Sequence, residues 1–235
     1  MKSLLEHYFR MARLKPVHII NQQGLSDLEK SAVIDGASEL IELVGAPEVS
    51  LVDVGAFRAD NYLNRDGSLN PFLSVDWYIE QGRIKSNRKN QLNSVEILDK
   101  LASDPMKKER NGGKNHYDIF VLKDDLYAGD ETNFVIGSAR SSRGTVMSTN
   151  RFKELDDRRK YECIKTETLH ELGHAFGLID RTHNAEYSLG RHCTNICVMR
   201  QGLRLPNDWV RMTEDRLKYG AFCSDCKDDL EKYFD

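Results

Sequence analysis

The chain has 235 residues, 40% of them hydrophobic and 30% charged, with a formal net charge of −3. That length allows one domain or two small ones with a sizeable core. The near-balanced charge gives no bulk electrostatic reason to expect a nucleic-acid or membrane partner. No apolar run approaches the roughly 20 residues of a membrane span. The first ten residues carry scattered charges and read as neither signal nor transit peptide, so the expected location is cytoplasmic.

In chain order, Ser3 to Leu14 reads as a short amphipathic helix and Val17 to Ile20 as a brief strand. Ser26 and Glu29 have the S-x-x-E form of a capping box. They open a helix with apolar residues at Leu28, Ala32, Val33, Leu40, Ile41 and Val44, closed by Gly45 and Pro47. Val49 to Val54 is a further strand. Residues 58–88, rich in Asn, Asp and Gly, read as a long excursion with a strand near Trp77 to Ile79. Helical spacing returns from Gln91 to Leu101, before Asp104 and Pro105. Tyr117 to Leu122 reads as a buried strand. Asn133 to Ala139 and Gly144 to Ser148 are β-like, with a turn at Ser141 to Gly144. Strands alternating with helices predict an α/β layer with a mainly parallel sheet, to which the last short pair adds an antiparallel strand.

A long helix is predicted from Asp156 or Asp157, where acidic residues suit the helix dipole. Its inward stripe is Tyr161, Ile164, Thr168, Leu172 and Ala175, and Gly177 is placed to end it. A last substantial helix runs from Pro206 and Asn207 to Tyr219 and stops at Gly220. A charged terminal helix follows.

The long helix carries the chemistry. His170, Glu171 and His174 form an H-E-x-x-H segment. Histidines four apart share one helix face, about 5–6 Å apart at Cβ, so both rings can reach one ion. Zinc takes imidazole nitrogens at about 2.0–2.1 Å and, in a catalytic site, leaves a position for water. Glu171 is placed to take a proton from that water. Of the five cysteines, Cys163 stands alone on this helix and reads as a small buried apolar residue. Cys193, Cys197, Cys223 and Cys226 cluster near the end of the chain. In a reducing compartment such spacings read as zinc ligands before disulfides, and four thiols fit one closed Cys₄ site.

The segment His170 to Gly177 resembles the metzincin zinc peptidases. The run His192-Cys193-Thr194-Asn195-Ile196-Cys197-Val198-Met199, with Cys223 and Cys226 behind it, narrows the resemblance to the archaemetzincin (archaelysin) family. Gln91 to Ser94, Asn133 to Ala139 and Met147 to Phe152 are also similar to family segments, so the resemblance covers roughly Gln91 to Cys226. It implies a catalytic zinc, a second zinc on the four cysteines, and a Met-turn methionine, Met199, packed beneath the catalytic metal. Three departures stand out. By counting from the helix glycine, the family's third histidine position holds Asp180; His192 and Cys193 come twelve residues later. The first cysteine pair is one residue closer than usual, and the gap from Met199 to Cys223 is longer. Two models of the third ligand follow, Asp180 by counting and His192 by its covalent neighbour, with His183 a weaker candidate. His192 is favoured, because imidazole suits the site and the whole H-C-x₃-C-x-M run stays intact.

The expectation is an α/β (α+β) metzincin-like catalytic domain spanning residues 1–235. It would have a twisted mixed sheet, a long active-site helix and a small zinc-stabilised C-terminal subdomain. The upper subdomain covers about 1–177 and the lower about 178–235. The activity implied is a zinc-dependent metallopeptidase acting on a peptide or protein substrate, with two Zn²⁺ ions. The ligands are His170, His174 and His192, and Cys193, Cys197, Cys223 and Cys226; Glu171 is the general base. Asn133 to Ala139 reads either as an edge strand for an extended peptide or as a core strand. A non-enzymatic zinc-stabilised binding module, or a hydrolase of a non-peptide amide, are the rival readings, and an intact Glu171 argues against the first.

Overall fold

The computed structural model describes residues 12–56, 75–103, 115–130, 132–179, 185–188 and 190–235. The helix expected over Ser3 to Leu14 falls almost wholly outside them, as do Asp180 and His183. A five-stranded sheet forms the centre. Its strands are β1 (Val17–Asn21), β2 (Leu51–Gly55), β4 (Tyr117–Leu122), β6 (Gly137–Arg140) and β7 (Gly144–Ser148), in the order β2-β1-β4-β7-β6. The first four neighbours run parallel and β6 pairs antiparallel with β7, for example Ser138 opposite Val146. The expected mainly parallel sheet with an antiparallel addition is present.

Alternation along the strands divides the apolar residues between two cores. Val17, Ile19, Ile119 and Val121 face one side with α1 (Asp27–Val44) and α4 (Asp157–Ala175). Ile20, Phe120, Leu122 and Val146 face the other, with α2 (Val75–Ile84) and α3 (Ser94–Ser103). Both faces are covered, which is why β4 and β7 are buried along their whole length.

Two segments differ from the sequence expectation. Trp77 to Ile79 lies inside α2, because Val75, Tyr78, Ile79 and Gly82 recur at helical spacing and form its buried face. The β propensity of an aromatic pair and an isoleucine yields to that packing. Helix α3 starts at Ser94, where the Asn93 side chain accepts hydrogen bonds from the backbone N–H groups of Val95 and Glu96. Gln91–Asn93 instead forms β3, parallel to β5 (Asp125–Tyr127). Only the last part of Asn133 to Ala139 is strand; Val135 makes an isolated bridge to Leu126.

Helices α1 and α4 pack against each other beside the sheet, and charged pairs line their seam. Lys160 reaches Glu29 at 3.0 Å and Lys165 reaches Glu39 at 2.9 Å. Arg216, on α5 (Asn207–Tyr219), pairs with Glu162 of α4 and donates through Nε to Thr166 Oγ1 at 3.0 Å. Beyond α4 come the hairpin β8 (Ala185–Ser188) and β9 (Gly190–Cys193), then α5 and α6 (Ser224–Phe234). No helix among the described residues is long and apolar enough to cross a membrane.

The capping box of α1 is complete: Ser26 Oγ accepts from Glu29 N at 3.3 Å, and Glu29 Oε2 accepts from Ser26 N at 2.7 Å. Ser26→Ala should therefore cost about 1 kcal/mol of stability, read as a lower midpoint with unchanged slope in urea denaturation.

Candidate metal centre

Helix α4 begins at Asp156, whose carboxylate accepts from Arg159 N at 3.0 Å. From Cys163 to Ala175 almost every residue is buried, polar ones included. Thr166 and Thr168 meet that demand by donating to the carbonyls one turn back, at 2.8 and 2.9 Å. The helix ends in a Schellman turn. Gly177 (φ 70°) donates to the His174 carbonyl at 3.0 Å and Leu178 to the Gly173 carbonyl at 3.0 Å. Ile179 follows at φ 72°, a conformation that costs a β-branched residue, and its N–H donates to Asp229 Oδ2 of α6 at 3.2 Å.

His170 and His174 project from one face of α4, with Nε2 atoms 3.2 Å apart. His170 Nδ1 lies 2.7 Å from the Val198 carbonyl. A carbonyl only accepts, so Nδ1 carries the proton and Nε2 presents its lone pair. His192, buried on β9, completes a trio whose ligand atoms all lie within 4.8 Å of one another. Nitrogens about 2.0–2.1 Å from a tetrahedral zinc are about 3.3 Å apart, and the His170–His174 spacing fits. Burial, then the nearby His192, pushes the His170 pKa down to about 3, and burial, then His170 and His192, holds His174 well below the ordinary imidazole range. Both rings are thus neutral, as metal ligation requires.

Cys193, Cys197, Cys223 and Cys226 form the second cluster, again with all sulfurs within 4.8 Å of one another. The Cys193–Cys223 and Cys197–Cys226 separations are 3.8 and 3.5 Å, and all four cysteines are free. A tetrahedral site with Zn–S near 2.3 Å has sulfur edges of about 3.8 Å. Backbone N–H groups of Asn195 and Met199 point at Cys193 and Cys197 sulfur at 3.4 and 3.5 Å, and the Asn195 side chain at Cys223 at 3.5 Å. Hydrogen bonds from Cys193 and Cys226 lower the Cys197 pKa to about 4, while hydrogen bonds with Cys193 and Cys197 raise Cys226. The cluster readily carries thiolate.

Met199 packs beneath α4. A Cβ on Gly173 would fall 2.6 Å from its sulfur, so only glycine lets the thioether lie so close under the two histidines. Glu171 is buried on the opposite side, against β6 and β7. Its Oε2 is 3.4 Å from Thr145 Oγ1, and a Cβ on Gly137 would fall 2.5 Å from its carboxyl carbon. The histidine trio, Glu171 and residues Phe134 to Ala139 line one cavity of about 610 Å³, with Gln201, Gly202, Leu203 and Trp209 along the wall after Met199.

Over 108 residues, 46% of this chain and 49% of the relative, the sequence is 36% identical to the archaemetzincin of Nanoarchaeum equitans (strain Kin4-M). The match thus spans about half the length of that curated relative. The crystal structure of archaemetzincin from Methanopyrus kandleri superposes with a TM-score of 0.59 at 23% identity, covering 93% of this chain and 94% of that one. Archaemetzincin from Archaeoglobus fulgidus, complexed with malonate, gives 0.52 at 22% identity, covering 91% and 99%. The fold is the archaemetzincin fold. A zinc-dependent peptidase from Methanocorpusculum labreanum (strain Z) gives 0.50 at 19% identity over 91% and 99%. No protein-family model matches the chain. The resemblance read from the sequence is borne out by the curated archaemetzincin and by the two archaemetzincin crystal structures.

On this archaemetzincin fold every described candidate residue falls in one of the two clusters or beside the first. Sequence reasoning missed three wall residues. Glu167 lies one turn before Glu171, Gln201 follows shortly after Met199, and Trp209 stands edge-on to His170 with ring centroids 5.3 Å apart. The i, i+4 spacing of Glu167 and Glu171 was the available signal.

Burial raises the Glu171 pKa to about 8, against weaker lowering contacts from Thr145 and Glu167. Glu167 is raised as well, by burial and then by the Glu171 charge. For Glu171 the folded pKa exceeds the unfolded 4.5, so the stability it contributes is fully present below pH 4.5 and lost as pH rises toward 8. Glu171→Gln should accordingly raise the melting temperature of metal-free protein at pH 8, with the gain shrinking toward pH 4.5. Gly137→Ala should displace the buried Glu171 carboxyl and lower the melting temperature, at an overpacking cost of about 1–3 kcal/mol.

Proposed function

We propose that this chain is a zinc-dependent metallopeptidase that cleaves peptide bonds with Glu171 as general base. The observation that carries the reading is a buried carboxyl on the wall of the same open cavity as three converging histidines. Three imidazoles leave a tetrahedral ion one position for water, whereas a purely structural zinc is closed by four side chains. His170, His174 and His192 would hold the catalytic ion, and the cysteine quartet a structural one, giving two Zn²⁺ per chain. His192 is preferred as third ligand on its placement beside the helix histidines.

A zinc held by His170, His174 and His192 would supply Lewis-acid polarisation of a carbonyl and a water acidified toward a pKa of about 7. Glu171 takes the proton from that water and returns it to the nitrogen of the departing amine, so the carboxylate is regenerated at the end of the cycle. Thr145 and the surface of Gly137 hold its carboxyl in place. Strand β6 is last in the sheet order and lines the cavity, so an extended peptide would add to it through backbone hydrogen bonds. The domain is read as an upper part to Gly177 and a lower part from residue 178, meeting at the cavity. Free, clustered cysteines favour a reducing compartment, in keeping with a cytoplasmic enzyme.

Elemental analysis of protein purified without chelator should give two zinc ions per chain; one or none would sink the two-site reading. Glu171→Gln should keep both ions and lose peptide cleavage by at least about 10³-fold. Full activity in that variant means that the base is another residue.

A further inference from the structure

Gln91 and its neighbour Arg88 take no part in metal ligation or proton transfer, yet their side chains reach the cavity wall. Ladder pairing on that wall begins at Gly137, the first residue of β6. Residues 132–136 line the cavity just before it. Their backbone meets neighbouring strands where Val135 N–H donates to the Leu126 carbonyl at 2.9 Å and Ser148 N–H donates to the Ile136 carbonyl at 2.8 Å. Ahead of Val135, side chains supply the hold.

The Asn133 carbonyl accepts from Arg88 Nη1 at 2.8 Å and from Gln91 Nε2 at 3.0 Å. Both donors are themselves fixed. Arg88 Nη1 also donates to Gln91 Oε1 at 3.2 Å, and its guanidinium lies 4.4 Å from the Tyr127 ring centroid. Gln91 Nε2 donates as well to Asp125 Oδ2 at 2.9 Å. Asp125 accepts from Arg151 Nε at 2.7 Å, and the Arg151 guanidinium lies 4.4 Å from the centroid of the Phe134 ring. One connected set of polar groups thus grips the backbone at Asn133 and covers a face of the next side chain. The end of the wall beside Glu171 is held differently, by the β6–β7 ladder, Thr145 and the close approach of Gly137. Loss of the grip on Asn133 therefore loosens residues 132–136 and leaves the surroundings of Glu171 in place.

We propose that Arg88 and Gln91 are positioning residues for substrate, holding residues 132–136 as an ordered continuation of the β6 edge. This rests on the peptidase reading and deepens it by naming a substrate class, extended peptides long enough to run past the four residues of β6. Strand addition draws its affinity from backbone hydrogen bonds, and any segment that must be ordered on binding subtracts from that affinity. A wall fixed in advance removes this cost for a long peptide. A short peptide confined to β6 gains nothing from it.

Gln91→Met and Arg88→Met remove the donors and keep an unbranched side chain at each position. Hydrogen exchange read by NMR should be at least about tenfold faster at the Val135 amide in both variants, with the β7 amides changed by less than about twofold. The zinc-loaded proteins are then compared on a peptide of about ten residues and on a fragment of about four residues spanning the same bond. For the long peptide KM should rise at least about fivefold with kcat within about twofold, while KM for the fragment stays within about twofold. A merely structural role would lower kcat for both peptides alike, and that result overturns the assignment. An equal change in KM at both lengths, or unchanged exchange at Val135, overturns it too. If the zinc-loaded wild type cleaves neither peptide, the peptidase reading falls and the substrate role falls with it. The exchange result still decides in that case whether the two side chains hold the wall.

Discussion

The structure depends on a short seam between helix α4 and the segment His192 to Met199. Within that segment neighbouring residues serve both clusters. His192 faces the helix histidines while Cys193, the next residue, joins the thiols. Cys197 belongs to the thiols, the Val198 carbonyl orients His170 at 2.7 Å, and Met199 lies under Gly173. Cys193 N–H donates to the Met199 carbonyl at 2.9 Å and closes the segment on itself, and Val198 N–H donates to Ala221 at 2.9 Å. The two clusters are thus covalently adjacent. A disturbance of the thiol quartet must move His192 or the carbonyl that sets the His170 tautomer, since no flexible linker separates them.

That seam explains why α4 tolerates so much polarity in its interior. Its buried groups are satisfied by a few fixed partners: Thr166 by Glu162, Thr213 and Arg216, Thr168 by the Ile164 carbonyl, and His170 by Val198. Glu167 and Glu171 have raised pKa values: burial, reinforced by Glu171, raises Glu167, and burial outweighs the Thr145 and Glu167 contacts that lower Glu171, with no cation among the described residues to offset it. Helix α4 thus sets two buried carboxyls on the same element as His170 and His174, whose rings burial holds neutral. The sheet contributes the opposite wall, where Gly137 at the end of the sheet order makes room for Glu171.

Much of this was legible beforehand for local reasons. The capping box of α1, the glycine end of α4 and the turn at Ser141 to Gly144 depend on residues a few positions apart, so they survive in any fold containing them. The H-E-x-x-H spacing likewise places His170 and His174 together by helix geometry alone. Trp77 to Ile79 read as strand because its residues favour β structure, whereas its helical pattern extends over Val75 to Gly82 and acquires meaning only against α3 and the sheet. Gln91 to Asn93 read as helix because its pairing partner, β5, lies more than thirty residues away.

The sequence by itself determined the ligand types, the spacing within each motif and the mainly parallel α/β layering, because those follow from short-range geometry and hydrophobic period. Only the tertiary structure decided that His192 comes to the helix histidines across an intervening β8–β9 hairpin, and that four thiols from two separated pairs meet at 3.5–3.8 Å within each facing pair. It alone revealed that Glu167, Gln201 and Trp209 share a wall with Glu171. Such meetings join residues about twenty to forty positions apart, and no local period encodes them; they are set by how α4, α5 and the Met199 segment pack together.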